Sequence, residues 1–433
     1  MLIAVTLFVA ALVFATLTLL PAVRASSLWR ATVTPLASIM GSGFLVIAPL
    51  LYETVGRFAL FAMMGLLLVA YLLGTVMRFN IRYAEPLLTN KAATGRSGMH
   101  RIHEAFREAS TFELEVSALH ITSRISQGVL AGAYFISISY YLQLLAAFAL
   151  RLTGQPANEW LSWGVVTAIL VTLGVVGTVA GLRSFERIEK YVIAVNLSMI
   201  SALLVGLAWH NASLSMAGEW SLPARGVEGD PYHVARVLMG LLIVVQGFET
   251  SRFLGAEHGP VERVRSMRLA QWLSSGIYLV FIGLITVMFT HSSGGAGSVT
   301  AIIGIASSIV PILGTLVAIT AIGSQFTAAT ADDAGCAGLL EAPVSRLMPG
   351  RFVYGIVAGF AVLVTWLTDV YQIISFASRA FALFYACQCL VALLTTLRTS
   401  ASMGAVGRVS RVGAFGLLGV VTLGVAIFGI PAG

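Results

Sequence analysis

Apolar runs of about 20 residues, the length a helix needs to cross a bilayer, recur along nearly the whole chain with short polar stretches between them. Length and apolar periodicity mark twelve such runs, near residues 2–23, 33–54, 57–83, 114–150, 159–181, 188–209, 233–256, 269–290, 301–335, 351–368, 370–397 and 412–430. No polar stretch is long enough to fold alone. The longest, "AEPLLTNKAATGRSGMHRIHEAFREASTFE" at 84–113, reads as a loop with a short helix. The predicted class is an all-α polytopic membrane protein of about 12 transmembrane helices.

Composition agrees. Of 433 residues, 58% are hydrophobic and 10% charged, whereas soluble domains carry roughly 25% charged residues. A net charge of +7 would suggest nucleic acid in a soluble protein; in this context the basic residues are loop charges that set orientation. If the loop holding Arg24 and Arg30 is cytoplasmic, alternation places 21 of the 26 basic residues inside. Only Arg57, Arg151, Arg225 and Arg236 fall outside, and Arg379 lies within a span. That bias predicts a multi-pass protein of the cytoplasmic membrane with its N-terminus outside. The first 23 residues carry no positive charge ahead of their apolar stretch, unlike a secretion signal.

Cys336, Cys387 and Cys389 show no C-x-x-C spacing and read as small packing residues. His100 and His103 lack the carboxylates or cysteines that would complete a metal site, so no metal is expected. No G-x-x-x-x-G-K-[ST] occurs, and no nucleophile, base and orienter can be assembled, so the chain is not expected to be an enzyme.

Two spans are broken where their surroundings are most apolar. "TPLASIMGSGFLVIAPLLYE" at 34–53 carries Gly41, Ser42 and Gly43, and "VLMGLLIVVQGFETSRFLGAE" at 237–257 carries Gln246, Gly247, Phe248, Glu249, Thr250 and Ser251. The second is the fifth span after the first, an odd step, so it crosses in the opposite direction. Interrupted helices at corresponding positions of two oppositely oriented halves are the sequence signature of an inverted-repeat transporter. Unpaired backbone groups at membrane depth persist only beside a cavity, where a polar ligand can meet them. For Gly41 and Gly43, close helix packing is the competing reading; it is preferred for Gly128 with Gly132 and for Gly177 with Gly181.

Taken in order, these segments resemble the amino acid–polyamine–organocation (APC) superfamily, whose members have the leucine-transporter fold of five plus five inverted helices. "IMGSGFLV" resembles that family's first-helix motif, and "NIRYAEPL" at 80–87 the ending of its second helix. "GLRSFERIEKYVIAVN" at 181–196 resembles the entry to its fifth helix, "VVQGFETSRFLGAE" its sixth, and "GPVERVRSMRLAQWLSSGIY" the entry to its seventh. The resemblance implies a 5+5 inverted-repeat core with one extra helix at each end. The divisions are 1–32 for the extra span and its loop, 33–209 for the first repeat, 210–232 for an extracellular loop, 233–397 for the second repeat, and 398–433 for an accessory span.

Carried over by position, the resemblance implies that Ile39, Met40, Gly41, Ser42, Gly43 and Phe44 hold a substrate carboxylate through backbone N–H groups. Gln246, Gly247 and Phe248 would face its amino group, with Phe248 as an aromatic lid, and Glu249 beside them. Tyr134 would line the cavity or pack. For ion coupling, the lysine of proton-coupled relatives is replaced by Asn196, while Ser324, Thr327 and Thr330 offer hydroxyls at spacings of three, without the adjacent hydroxyl pair of sodium sites. These residues point to a sodium-type or vestigial site, so the coupling ion, if there is one, is expected to be Na+ or H+, and no cofactor is implied.

Ionisable groups at membrane depth default to function. Arg379 is expected to pair with Glu249, Asp332 or Asp333, to touch an anionic substrate, or, in a purely structural reading, to snorkel or serve as a fixed ion pair that locks the bundle. Asp332 and Asp333 are expected near the cytoplasmic face as gate residues. The resulting expectation is a secondary active transporter that moves an amino acid or related small organic solute by alternating access. An inorganic-ion or nucleobase permease of the same fold, or a non-transporting sensor or subunit, stays open. The partners implied are the lipid bilayer and a small-molecule substrate, with no nucleic acid; oligomeric state carries no sequence signal.

Overall fold

The structure, a computed structural model, describes residues 2–41, 43–89, 105–154, 158–180, 183–256, 258–290, 300–309, 311–344, 349–398 and 405–431. Ser42, His100, His103 and Gly181 lie outside them. The described chain is helical apart from its connections, the longest described one at 218–230: α1 (Leu2–Leu19), α2 (Pro21–Ala25), α3 (Ser27–Gly41), α4 (Ile47–Val55), α5 (Ala59–Phe79), α6 (Glu85–Thr89), α7 (Ala105–Leu152), α8 (Glu159–Ala180), α9 (Arg183–Ala217), α10 (Pro231–Gly240), α11 (Pro260–Thr286), α12 (Ala301–Ile309), α13 (Pro311–Val344), α14 (Val353–Leu367), α15 (Val370–Arg398) and α16 (Ala405–Phe428).

Ten segments among the described residues are long and apolar enough to span a membrane. Two crossings are in pieces, the first of them sharing α4 with the apolar segment Ile47–Leu88. One is α3 followed by a turn at 43–46 and then α4; the other is α10 followed by 3₁₀ turns at Leu242–Val245 and Phe248–Ala256. The protein is thus an all-α polytopic membrane protein. Its interrupted crossings are the two whose glycines and polar side chains sit among apolar neighbours.

One predicted span is divided. The run 301–335 becomes the short α12 and the long α13, which begins at Pro311. Proline has no N–H to continue a helix but is well suited to open one. The end of the next crossing after the first break also departs from a plain helix. Asn80–Ala84 forms a wide π turn that runs into Glu85 and Pro86, the kind of bulge often found at working sites.

The helices α3 and Phe248–Ala256 lie side by side in the interior, with α11 against both and α13 against both. On the far side α7 packs along α13 and α15. The terminal helices are peripheral: 11% of the apolar window of α1 and 17% of that of α16 is buried, against 72% for α7. Helix α1 rests on α9, and α16 on α15.

Candidate functional site

The two interruptions cross each other. Gly247 has φ +118, and a Cβ added there would stand 2.6 Å from the Ile39 backbone N and 2.7 Å from the Ser38 carbonyl carbon. Gly43 has φ +123, and its added Cβ would meet the Tyr140 hydroxyl and the Val244 side chain, each at 2.6 Å. Only glycine takes such backbone angles without strain; Gly247 lets the second break press on the backbone of α3, and Gly43 lets the Tyr140 and Val244 side chains press on the first. Gly41 works differently: an added Cβ would collide with Ala328 of α13. Its role in the fold is close helix packing, the competing reading of the sequence.

Tyr278 of α11 ties the breaks together, its hydroxyl lying 2.6 Å from the Val244 carbonyl oxygen and 3.1 Å from that of Ile39. The turn at Gly43 is closed from within, since the Val46 and Ile47 N–H groups both donate to the Gly43 carbonyl at 2.9 Å. In the second break the Ile243 N–H donates to Ser378 Oγ at 2.8 Å, and Ser378 donates to the Gly240 carbonyl at 2.6 Å. The Gly247 N–H donates to Glu249 Oε2 at 3.0 Å, and Thr250 Oγ1 to the Gly247 carbonyl at 2.7 Å. Part of the backbone released by the breaks is therefore satisfied locally, as burial requires.

Around the crossing lies a sealed polar cluster. Glu249 is fully buried and takes a second donor, the Tyr385 hydroxyl of α15, at 2.8 Å. Gln246 donates through Nε2 to the Tyr141 hydroxyl of α7 at 3.2 Å. Asp332 of α13, also fully buried, accepts from Ser137 Oγ of α7. Tyr134 stands within electrostatic reach of both Glu249 and Asp332. Five buried polar atoms here have no hydrogen-bond partner: Ser38 Oγ, Tyr134 OH, Gln246 Oε1, Glu249 Oε1 and Asp332 Oδ1. Orphans of this kind are rare in protein interiors. Phe248 stacks on Tyr385 at 5.4 Å and 11°, and Phe381 stands edge-on to Tyr134 at 5.9 Å, forming aromatic walls.

The ring of Phe44, a residue expected at the site through its backbone N–H, packs against Tyr278 and Phe281, with centroids 5.3 and 4.5 Å away. Arg379 does not join an acid: its Nε donates to the Ala426 carbonyl at 2.8 Å, in the last turn of α16. Arg236 treats the neighbouring Phe428 carbonyl the same way at 3.0 Å. Cations at these helix-terminal carbonyls satisfy groups that have no partner within the helix. None of the ion pairs among the described residues includes Glu249, Asp332 or Asp333. Asp332, expected with Asp333 at a gate near the cytoplasmic face, is fully buried and accepts from Ser137 of α7; Asp333, its neighbour, is buried too.

Of the ion-coupling candidates, Ser324 Oγ points at the Met40 carbonyl at 3.4 Å. Thr327 donates back to the Ser324 carbonyl at 2.9 Å and Thr330 to that of Thr327 at 3.0 Å. Asn196 is buried in α9. Among the described residues no group of three or more His, Cys, Asp or Glu is placed to hold a metal ion, and the three cysteines are free thiols.

Sequence reasoning passed over Ser38, Ser137, Tyr141, Tyr278 and Tyr385. All are polar atoms in the middle of apolar spans, a signal that was present but undirected.

A second polar cluster lies where α6 meets α11. Glu85 accepts from Arg263 at 2.7 Å and pairs with Arg252 at 3.4 Å. Arg252 donates to Gln388 of α15, which also receives Asn80 Nδ2 at 2.9 Å and donates to Ser126 of α7 at 2.5 Å. The "YAEPL" and "SRFLGAE" segments thus meet through charge.

A helical membrane protein whose two broken crossings meet at a buried polar site has the build of a secondary transporter. The comparisons agree: the family model described as APC superfamily transporter matches residues 21–429. The chain belongs to the APC superfamily of transporters. An uncharacterized protein of Aquifex aeolicus (strain VF5) is 38% identical over 377 residues, 87% of this chain and 86% of that protein. Among solved structures, a manganese transporter of Eremococcus coleocola, in complex with an aromatic bis-isothiourea substituted compound, is 13% identical with a TM-score of 0.50. The match covers 92% of this chain and 87% of that one, and at that identity it speaks for the fold.

Proposed function

We propose that the chain is a secondary active transporter moving an amino acid or a related small organic solute across the cytoplasmic membrane by alternating access. In this reading residues 33–209 and 233–397 are the two inverted repeats, rocking around a midplane site, and the arginine-rich loops face the cytoplasm. One observation supports it most: the breaks at Gly43 and Gly247 cross at a cluster of five partnerless buried polar atoms. A solute with polar ends and an apolar body would meet Gln246, Glu249 and the Ser38 hydroxyl at its ends and the Phe248, Tyr385 and Tyr134 rings along its side. Alternating opening is required, because these groups are now sealed from solvent.

A second reading has its own support. Orphan carboxylate oxygens on Glu249 and Asp332 are hard donors of the type that bind small inorganic cations. Proteoliposome uptake separates the readings. Radiolabelled amino acids and manganese are offered in parallel, each under a sodium gradient, a proton gradient and none. Amino-acid accumulation above that in empty vesicles supports the proposal, manganese accumulation alone supports the second reading, and neither would end both.

A further inference from the structure

We propose that the outer face of α5 and α11, at the end where both helices carry arginine, binds a membrane phospholipid with an anionic headgroup. The proposal goes beyond the transporter reading and stands whatever solute the protein carries.

Arg78, one residue from the end of α5, is 6% exposed. A cation at that depth calls for an opposite charge. The fold gives it neutral partners: the side-chain oxygen of Gln271 on α11, Thr75 Oγ1 at 2.8 Å, and the ring of Tyr71 with its centroid 4.9 Å away. Within its electrostatic reach stands a second cation, Arg268 of α11. Arg268 is exposed, as are Arg265 on the same helix and Arg82 in the π turn beyond Arg78. None of the ion pairs among the described residues includes any of these four arginines. The acids next to them along the chain are engaged elsewhere, Glu85 by Arg252 and Arg263, and Glu262 by His258. Four cations gathered without an acid ask for an anion from outside the chain.

Toward the membrane interior the same face turns aromatic and then aliphatic. Residues three and four apart share a helix face, so Arg265, Arg268 and Trp272 form one stripe on α11 and Tyr71, Thr75 and Arg78 its counterpart on α5. Trp272 is 64% exposed and stands edge-on to Tyr71, with centroids 6.0 Å apart. Beyond them Leu68 and Leu72 of α5 and Leu273 of α11 are exposed. Cations, then an amphipathic aromatic, then leucines match in order the phosphate, ester region and acyl chain of one phospholipid. A soluble anion would meet the arginines alone, so the apolar wall commits the site to lipid. The groove also touches the working parts: Gln271, which holds Arg78, donates to the Ala70 carbonyl at 2.8 Å and lies about two turns before Tyr278, the residue that ties the two breaks.

The test uses the full chain in phosphatidylcholine vesicles and reads tryptophan fluorescence, with no transport assay. A small fraction of phosphatidylglycerol, brominated on its acyl chains near the headgroup, is compared with the same fraction of brominated phosphatidylcholine. Bromine quenches a tryptophan that it touches. The wild type is expected to be quenched more by the anionic lipid, and Trp272→Phe to abolish that excess. Each arginine near an anionic lipid strengthens its attraction about fivefold, so Arg268→Gln is expected to weaken the preference by about that factor. Arg78→Gln should weaken it at least as much, whereas Arg151→Gln, exposed at the end of α7, keeps it. If Arg78→Gln fails to fold, Arg268→Gln on the surface decides. Equal quenching by the two lipids overturns the proposal. So does an excess that survives Trp272→Phe, or one that Arg268→Gln and Arg151→Gln lower equally. Relief of the excess by inorganic phosphate would assign the arginines to a soluble anion and overturn it too.

Discussion

Gly247→Ala probes the contact on which the site is built. The added methyl carbon would stand 2.6 Å from Ile39 N and 2.7 Å from the Ser38 carbonyl carbon, where ordinary contact begins at 3.4 Å. Helix α3 would therefore have to retreat by about 0.8 Å (3.4 less 2.6), and backbone atoms cannot swing aside as a side chain does. Alanine at φ +118 adds about 1–3 kcal/mol of conformational strain, and crowding adds about 1–3 kcal/mol. The sum, about 2–6 kcal/mol, disfavours the crossed arrangement by about 30-fold or more, since about 1.4 kcal/mol is a factor of ten. The assay is initial uptake of mixed radiolabelled amino acids into proteoliposomes, with size-exclusion chromatography to confirm a folded sample. Uptake is expected to fall at least about 30-fold. Gly276→Ala is the control: nothing lies within 4 Å of its added Cβ, and alanine in a helix interior is favoured by about 0.5–1 kcal/mol. A folded Gly247→Ala protein that transports at the wild-type rate would refute the crossing of the breaks as the working site.

Gly43→Leu is expected to abolish uptake with normal membrane insertion, checked by fractionation and the same assay; Gly43→Ala should be milder than Gly247→Ala, because the atoms it meets belong to the Tyr140 and Val244 side chains. Tyr278→Phe removes the 2.6 Å hydrogen bond to the Val244 carbonyl, worth about 0.5–1.5 kcal/mol, and should lower both thermal stability and uptake in proteoliposomes. Arg379→Ala is expected to lower the melting temperature through loss of the Ala426 contact, a hydrogen bond to a charged group worth up to about 1.5–3 kcal/mol, less what solvent screening removes at this half-buried site. Its uptake should keep the wild-type half-saturating concentration, and a changed one would return Arg379 to the substrate.

The crossings were legible because a bilayer imposes length, and a run of apolar residues reports length directly. The breaks were legible for a related reason: Gly41, Gly43 and the polar run from Gln246 to Ser251 are unfavourable in lipid unless something meets them. What could not be read was direction. A span that is apolar on every side carries no periodic cue to say which neighbour a polar residue faces, so Arg379 stays open in the sequence between the acids, a substrate and a structural role, and only the structure turns it to α16. For the same reason the partners of Glu249 and Asp332, Tyr385 and Ser137, lie 136 and 195 residues away and left no local mark. The two glycines of one motif also diverged: Gly43 serves through its backbone angle and Gly41 through the closeness of Ala328, a distinction that needs the third dimension.

The central claim is that the crossed breaks surround a hollow that opens to water and admits a solute. Ser38, buried with its hydroxyl unpartnered beside Gly247, reports on it directly as Ser38→Cys in a background with Cys336, Cys387 and Cys389 replaced by serine or alanine. The account predicts labelling by a membrane-impermeant thiol reagent in reconstituted protein, slowed when a transported amino acid is present. A thiol at this position that stays unreactive from both faces of the membrane, in folded protein and under every gradient, would contradict it.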